Sequence, residues 1–393
     1  MELSKSFKTF AAPETGRKVV QLTDGDSYTY PLYYFIPSFT KDSRYLIYHR
    51  ALSELGGVQI HRLDLTTGQD VCLSCAKSKK SVWHPWCREK GPGVLDHRSV
   101  LNVERNTLIY FDDNDVWEVC IETLAKKLLF SIPKDRTPIG QNCVTTDGKW
   151  LVYIHHDYNL FEEMVKLSYQ DARDASRNTA LAAYNFETGE HRPLLFINSP
   201  IHHVLPYDEK HVVFCHPTTE NAMLLTSIEG GYYTHMRTQE GDGGAVCHYI
   251  ATKSGLMYEI LGSNTGKVFG GIYNPFTHNK FELSLPKEFG YTHTGCDDEG
   301  KLWFYENEKH DGDFCYHDMY YLAKHDEKSG DEWVKLIGHW PTHGGGQNSH
   351  FHPRLTPDRK WILFTGGEPS TDKNHMFLLD ISDIDQTYGI PTV

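Results

Sequence analysis

Near the C-terminal end of the chain, Gly344, Gly345 and Gly346 lead into Gln347-Asn348-Ser349-His350-Phe351-His352-Pro353. His350 and His352 are two apart, so on an extended segment both imidazoles point to the same face. Gln347 stands three residues before His350, in a glycine-rich lead-in whose backbone freedom lets its amide oxygen turn toward the same point. Neutral nitrogen and oxygen donors of this kind suit a borderline divalent ion such as Mn²⁺, Zn²⁺, Ni²⁺ or Fe²⁺ better than a thiolate site would. A donor set without carboxylates leaves the ion's full charge available to an anionic substrate.

The elements that must position these residues are legible as a repeat. Residues 39–48 (FTKDSRYLIY), 144–153 (VTTDGKWLVY), 297–305 (DDEGKLWFY) and 355–364 (LTPDRKWILF) share a polar turn followed by an apolar run that ends on an aromatic residue. Weaker copies at 103–110, 207–214 and 252–260 bring the count to seven. Each reads as strand, tight turn, strand, and several are followed by a third strand, as at 58–68, 115–124 and 181–190. Short antiparallel strands recurring at this period predict an all-β, seven-bladed propeller occupying residues 1–393 as one domain. The sole stretch that reads as a long amphipathic helix is 161–179. A propeller must close its ring, since an open end exposes a sheet edge. Residues 17–23 (RKVVQLT) are expected to do this as the outer strand of the seventh blade.

In such a ring the first strand of each blade lines the central channel. Counting twelve residues back from the last apolar residue of each copy gives Ile36, Arg98, Gln141, His202, His248, His293 and His352. Four consecutive blades thus offer histidine at a position that converges on one axis, and His293, one blade before His352, becomes a fourth metal donor. A ring of histidines bonded to channel water is the bland alternative.

The composition narrows the function classes. Thirty-nine basic against 52 acidic residues give a net charge of −13, with no Lys/Arg-rich run, so a nucleic-acid partner is not expected. No apolar run approaches the roughly 18 residues that a membrane helix needs. Met1 to Pro13 carries no apolar signal-type core, and nine scattered cysteines suit reduced thiols, so a cytoplasmic location is expected. Cys72-Leu73-Ser74-Cys75, with His84 and Cys87 beyond it, lacks a second paired CxxC and reads as buried thiols in a turn rather than a zinc cluster. Oligomeric state is not legible.

Taken together, these motifs resemble the oligogalacturonate lyase family, seven-bladed propellers that degrade short pectin fragments. The family's Gln-x-x-His-x-His pattern before a Thr-Pro-Asp turn is matched by Gln347, His350 and His352 ahead of Thr356-Pro357-Asp358. Its remaining metal ligand is matched by His293 in Gly290-Tyr291-Thr292-His293, and its proposed base by His248, which follows Cys247. Gly16 to Thr23 and Phe214-Cys215-His216 are similar as well. The resemblance implies metal-dependent β-elimination, with Mn²⁺ the first expectation among the divalent ions, on an anionic uronate oligosaccharide. In that reaction the C5 proton of a uronate is removed, the C4 glycosidic oxygen departs, and a 4,5-unsaturated sugar remains. An imidazole, with an ordinary pKa of about 6.5, is a suitable base at neutral pH. His248 is the candidate for that role, with Arg98, Gln141, His202 and His216 expected on the substrate.

One departure stands out. The family carries an arginine soon after Phe-Cys-His, whereas this chain has Asn221-Ala222-Met223 and no arginine until Arg237. Either another cation such as Arg98 takes over, or the uronate linkage differs, for example rhamnose–glucuronate. A non-catalytic sugar- or metal-binding propeller and a metal-assisted hydrolase are the other classes. No single tyrosine is marked out as an acid for the leaving oxygen.

Overall fold

The computed structural model describes all residues except 54–55, 77–97, 158–177, 199–200, 217–221, 238–244, 262–268, 287–288, 290–292, 312–313, 329, 344–349, 369–370 and 387–393. Seven antiparallel sheets follow one another along the chain and form the blades of a propeller. The seven repeat copies each supply the second strand of a blade: Tyr45–Ser53, Thr107–Asp112, Trp150–Asp157, His211–His216, Gly255–Leu261, Trp303–Asp311 and Trp361–Gly367. Six blades have four strands, while the seventh has five. No α-helix occurs among the described residues. Residues 161–177 of the expected helix lie outside them, and Thr179 opens a strand, Thr179–Asn185.

The turns of three of the copies use one device. Thr40, Thr145 and Thr356 donate their hydroxyls to Asp42, Asp147 and Asp358 at 2.6, 2.7 and 2.7 Å. The same hydroxyls accept the backbone N–H of Tyr45, Trp150 and Trp361 at 3.0, 3.1 and 3.2 Å. A Thr-x-Asp triplet before an aromatic residue therefore bends the chain and satisfies the first N–H of the following strand.

Ring closure takes the expected form and adds to it. Lys18–Gln21 pairs with Asn374–Asp380, matching Val19 to Leu379 and Val20 to Leu378. Lys8–Ala11 then pairs outside it as a fifth strand. Val19 and Val20 are buried, so closure joins the two ends through apolar packing as well as backbone hydrogen bonds.

Between the sixth and seventh blades the core is aromatic. Phe364 is fully buried, with ring centroids 4.9 Å from Phe351, 5.4 Å from Phe377 and 5.6 Å from Trp340. Since Phe351 lies between His350 and His352, this packing also sets the backbone that carries both histidines. Phe364→Ala is expected to cost about 3–5 kcal/mol of stability, read as a lowered midpoint in urea unfolding.

Candidate metal centre and active site

The channel-lining strands do not run straight. Gly140, His203, His248 and His352 all have left-handed backbones, with φ of 68°, 52°, 49° and 47°. In blades three, four and five the ladder register shifts at this point, for instance between Cys247 and Ile250. A bulge of this sort re-aims a side chain out of the sheet's alternation. A non-glycine residue held at positive φ costs about 1–3 kcal/mol, so three histidines in that conformation mark a site at which aim outweighs local preference.

Four imidazoles meet there. The His293 ring centroid lies 4.3 Å from that of His248, 4.8 Å from His350 and 4.4 Å from His352. His350 and His352 are 5.8 Å apart. Three imidazoles sharing one ion through bonds of about 2.1 Å stand with centroids roughly 4.5–5.5 Å apart, close to this arrangement. The donor set therefore fits a divalent ion held by His293, His350 and His352. Gln347 lies outside the described residues.

Two buried carboxylates stand behind the histidines. His293 Nδ1 donates to Glu306 Oε1 at 2.7 Å, and His248 Nδ1 to Glu259 Oε2 at 2.9 Å. Each bond fixes the tautomer, leaving Nε2 as the ring's lone-pair atom. Burial, with the neighbouring His248 adding to it, pushes the His293 pKa down to about 3 despite the opposing pull of Glu306. His293 is therefore neutral and ready to ligate at any working pH. Burial on its own would raise the Glu306 pKa, yet the bond from His293 and the nearby His350 hold it well below the carboxylate range. Burial would likewise lower His350, but Glu306 outweighs it and the net direction is upward. His350 Nδ1 stands 3.7 Å from Glu306 and 3.8 Å from Glu308. Glu306→Gln is expected to weaken metal binding about 10–100-fold, measured by competition with a chelating dye.

Blade one departs from the twelve-residue count. Its inner strand is Tyr28–Pro31, where Pro31 has no N–H to extend a ladder, and Ile36 lies beyond it as a buried residue outside any strand. The intervening segment instead carries Tyr33 and Tyr34 into the cluster. Tyr34 has its ring centroid 5.4 Å from His293, 5.9 Å from His248 and 6.0 Å from His352.

In blade four the ring that reaches this region belongs to His203, one residue past the expected His202. Its Nε2 is 3.3 Å from the Tyr33 hydroxyl. The side chains of His202 and His216 are outside the described set, though both residues lie on strands, paired to Cys215 and Ala222 respectively. Gln141 is buried, and its Oε1 accepts the backbone N–H of His203 at 3.2 Å. Arg98 is fully buried, and its carbonyl accepts from Asn142 Nδ2 at 3.0 Å.

One further expectation is corrected. Cys72 and Cys75 are not buried: Cys72 ends the outermost strand of blade one, half-exposed, and Cys75 is exposed in the turn after it. Their sulfurs are 3.0 Å apart, and His84 and Cys87 lie outside the described residues. His155 and His156 belong to the strand Trp150–Asp157, and His156 is fully buried.

Glu259, Glu306, Tyr33, Tyr34 and His203 were not among the residues singled out from sequence. A signal existed for the two glutamates. Glu259 sits inside the apolar run Leu256-Met257-Tyr258-Glu259-Ile260 and Glu306 closes the run Leu302-Trp303-Phe304-Tyr305, positions where an unpartnered buried carboxylate would be costly. No comparable signal marks the tyrosines.

The fold and cluster together define a seven-bladed propeller with a histidine metal centre and a carboxylate-backed histidine beside it. No family model matches the chain. It is similar to the curated oligogalacturonate lyase of Dickeya dadantii strain 3937, 23% identical and covering 94% of this chain and 96% of that protein. An oligogalacturonide lyase of Pectobacterium atrosepticum is also 23% identical, with 93% and 95% covered. Among solved structures, an oligogalacturonate lyase from Vibrio parahaemolyticus aligns with a TM-score of 0.74 at 18% identity, covering 98% of this chain and 99% of that one. An oligogalacturonate lyase in complex with manganese gives the same TM-score, 0.74, at 23% identity, with 97% and 98% covered. The resemblance drawn from the Gln347 motif thus extends along the chain.

Proposed function

We propose that this chain is a metal-dependent lyase that cleaves short uronate oligosaccharides, oligogalacturonate first among them, by β-elimination. The observation that carries this reading is the pair of adjacent histidines, His248 and His293, each oriented by its own buried carboxylate. One of the two belongs to a three-histidine set and the other stands beside it, as a base beside a metal centre requires.

His293, His350 and His352, with Gln347 from the sequence motif, would hold the ion, which is manganese in one similar lyase structure. When bound, it supplies Lewis-acid charge that makes the C5 proton of a uronate more acidic. His248 Nε2 accepts that proton while Nδ1 keeps its hydrogen bond to Glu259, whose carboxylate stabilises the imidazolium that forms. The tyrosine-lined side of the cluster excludes water from the face where the proton moves. Arg98 and Gln141 are assigned to the sugar carboxylate and hydroxyls.

A second reading keeps the reaction and changes the linkage. It rests on Ala222, which stands on the third strand of blade four where the resembling family has arginine nearby. Ultraviolet absorbance of the unsaturated product separates the readings, using di- and trigalacturonate beside rhamnose-capped glucuronate oligosaccharides, with metal-free and Mn²⁺-loaded protein. Metal-dependent absorbance on galacturonides supports the first reading, and absorbance confined to the glucuronates supports the second. No absorbance on either, with stoichiometric metal bound, sinks the lyase assignment.

A further inference from the structure

A second group of ligand-type side chains lies at the far end of the central hairpin of blade six. Its strands Trp303–Asp311 and Phe314–Lys324 pair with Glu308 opposite His317 and His310 opposite Cys315. Cross-strand partners share a face, and so do residues two apart, so all four side chains emerge on one side of the hairpin. The ligand atoms of Glu308, His310 and Cys315 lie within 4.8 Å of one another.

The separations suit coordination. Cys315 Sγ is 3.6 Å from Glu308 Oε1 and 3.6 Å from His317 Nε2. Metal bonds of about 2.3 Å to sulfur and 2.0–2.1 Å to oxygen or nitrogen, at a tetrahedral angle, place such atoms about 3.5 Å apart. His310 Nε2 is 2.8 Å from Glu308 Oε1, a contact that would open by a few tenths of an ångström on coordination.

His317 is an independent sign. Its side chain is 1% exposed, and its Nδ1 has no hydrogen-bond partner among the described residues. Its Nε2 lies against the Cys315 sulfur. Its Nδ1 stands 3.9 Å from Glu306 Oε2, beyond hydrogen-bond distance, so the ring makes one long thiol contact that a metal bond at Nε2 would replace with a strong one.

We propose that Glu308, His310 and Cys315, with His317 as fourth ligand, form a second metal site for a thiophilic divalent ion of the zinc type. The sulfur separates its preference from that of the histidine centre, because manganese favours oxygen and nitrogen donors over thiolate. Binding releases the Cys315 thiol proton to solvent and leaves both imidazoles neutral. The ion would fix the connected end of the hairpin and the carboxylate of Glu308, whose other oxygen stands 3.8 Å from His350. The site thus buttresses one of the three histidines of the catalytic centre without joining it.

The test uses full-length protein carrying Cys72→Ser and Cys75→Ser, which removes the other close thiol pair, saturated with Mn²⁺ and titrated with Co²⁺. A near-ultraviolet thiolate-to-cobalt band that saturates at one equivalent and is displaced by Zn²⁺ is expected. Cys315→Ser should abolish the band, and His310→Ala should weaken cobalt affinity at least tenfold. His310 is largely exposed, so its removal leaves the fold intact and keeps the test decisive if the cysteine variant folds poorly. His352→Ala should retain the band. Absence of a thiolate band, or a band unchanged in both Cys315→Ser and His310→Ala, overturns the proposal. The readout is independent of lyase turnover, so it stands or falls separately from the catalytic assignment.

Discussion

His248→Ala is expected to lower turnover on the responsive uronate substrate at least about 10³-fold while leaving bound manganese near one equivalent. The hydrogen bond to Glu259 fixes Nδ1–H and leaves Nε2 as the basic atom. The ring approaches that of His293 to 4.3 Å, which puts that base beside the metal set without requiring it as a ligand. Initial rates of absorbance growth and metal analysis on the same preparation check both halves. Retained turnover would remove His248 as the base, and loss of metal together with turnover would make it a ligand. Glu259→Gln is the companion variant. It preserves shape but lacks the charge that stabilises an imidazolium, so it should lower kcat more than KM.

The second large effect is expected at His350. His350→Ala should reduce bound manganese to below about a tenth of an equivalent, with turnover falling in proportion. This position separates a ligand role from a folding role better than His293, because Glu306 keeps its bond to His293 when His350 is removed. An unchanged melting temperature of the metal-free proteins would show that the fold is intact. Partial rescue by excess Mn²⁺ would locate the defect in affinity. Stoichiometric manganese in the His350→Ala protein would rule out the three-histidine set. Treatment of the wild-type protein with a chelator should reproduce the loss of turnover, and Mn²⁺ should restore it.

The repeat was readable because blade construction is local. A Thr-x-Asp turn, an aromatic residue closing its hydrogen bond and an alternating apolar strand all fall within about ten residues. Every copy, including the weak ones at 103–110 and 252–260 that lack the Thr-x-Asp triplet, became a second strand. The closing strand was readable for a different reason. A ring needs its ends joined, and Val19 and Val20 offered an apolar pair with no other partner nearby in sequence.

Counting from the strands to the channel placed His248, His293 and His352 in the cluster, even though the ladder of blade five shifts between Cys247 and Ile250. In blade four, where the ladder shifts between His202 and Leu205, the next residue, His203, also brings its ring to this region. Blade one fails altogether, since its inner strand stops at Pro31 and the chain crosses the channel with Tyr33 and Tyr34. A constant offset cannot anticipate a bulge, whose cost is local but whose benefit arises only when several blades face one another.

The sequence by itself determined the number of blades, the closing strand, the metal-type motif and the histidines that converge on the axis, because periodicity and turn chemistry act over short distances. Only the tertiary structure decided which ring nitrogen each histidine presents, since that depends on Glu259 and Glu306, buried carboxylates on neighbouring strands. It also decided which tyrosines enter the cluster and that Glu308, His310, Cys315 and His317 share one face. These are contacts between segments that no spacing rule connects, created when paired strands exclude water and leave each buried polar group to find its partner across the sheet.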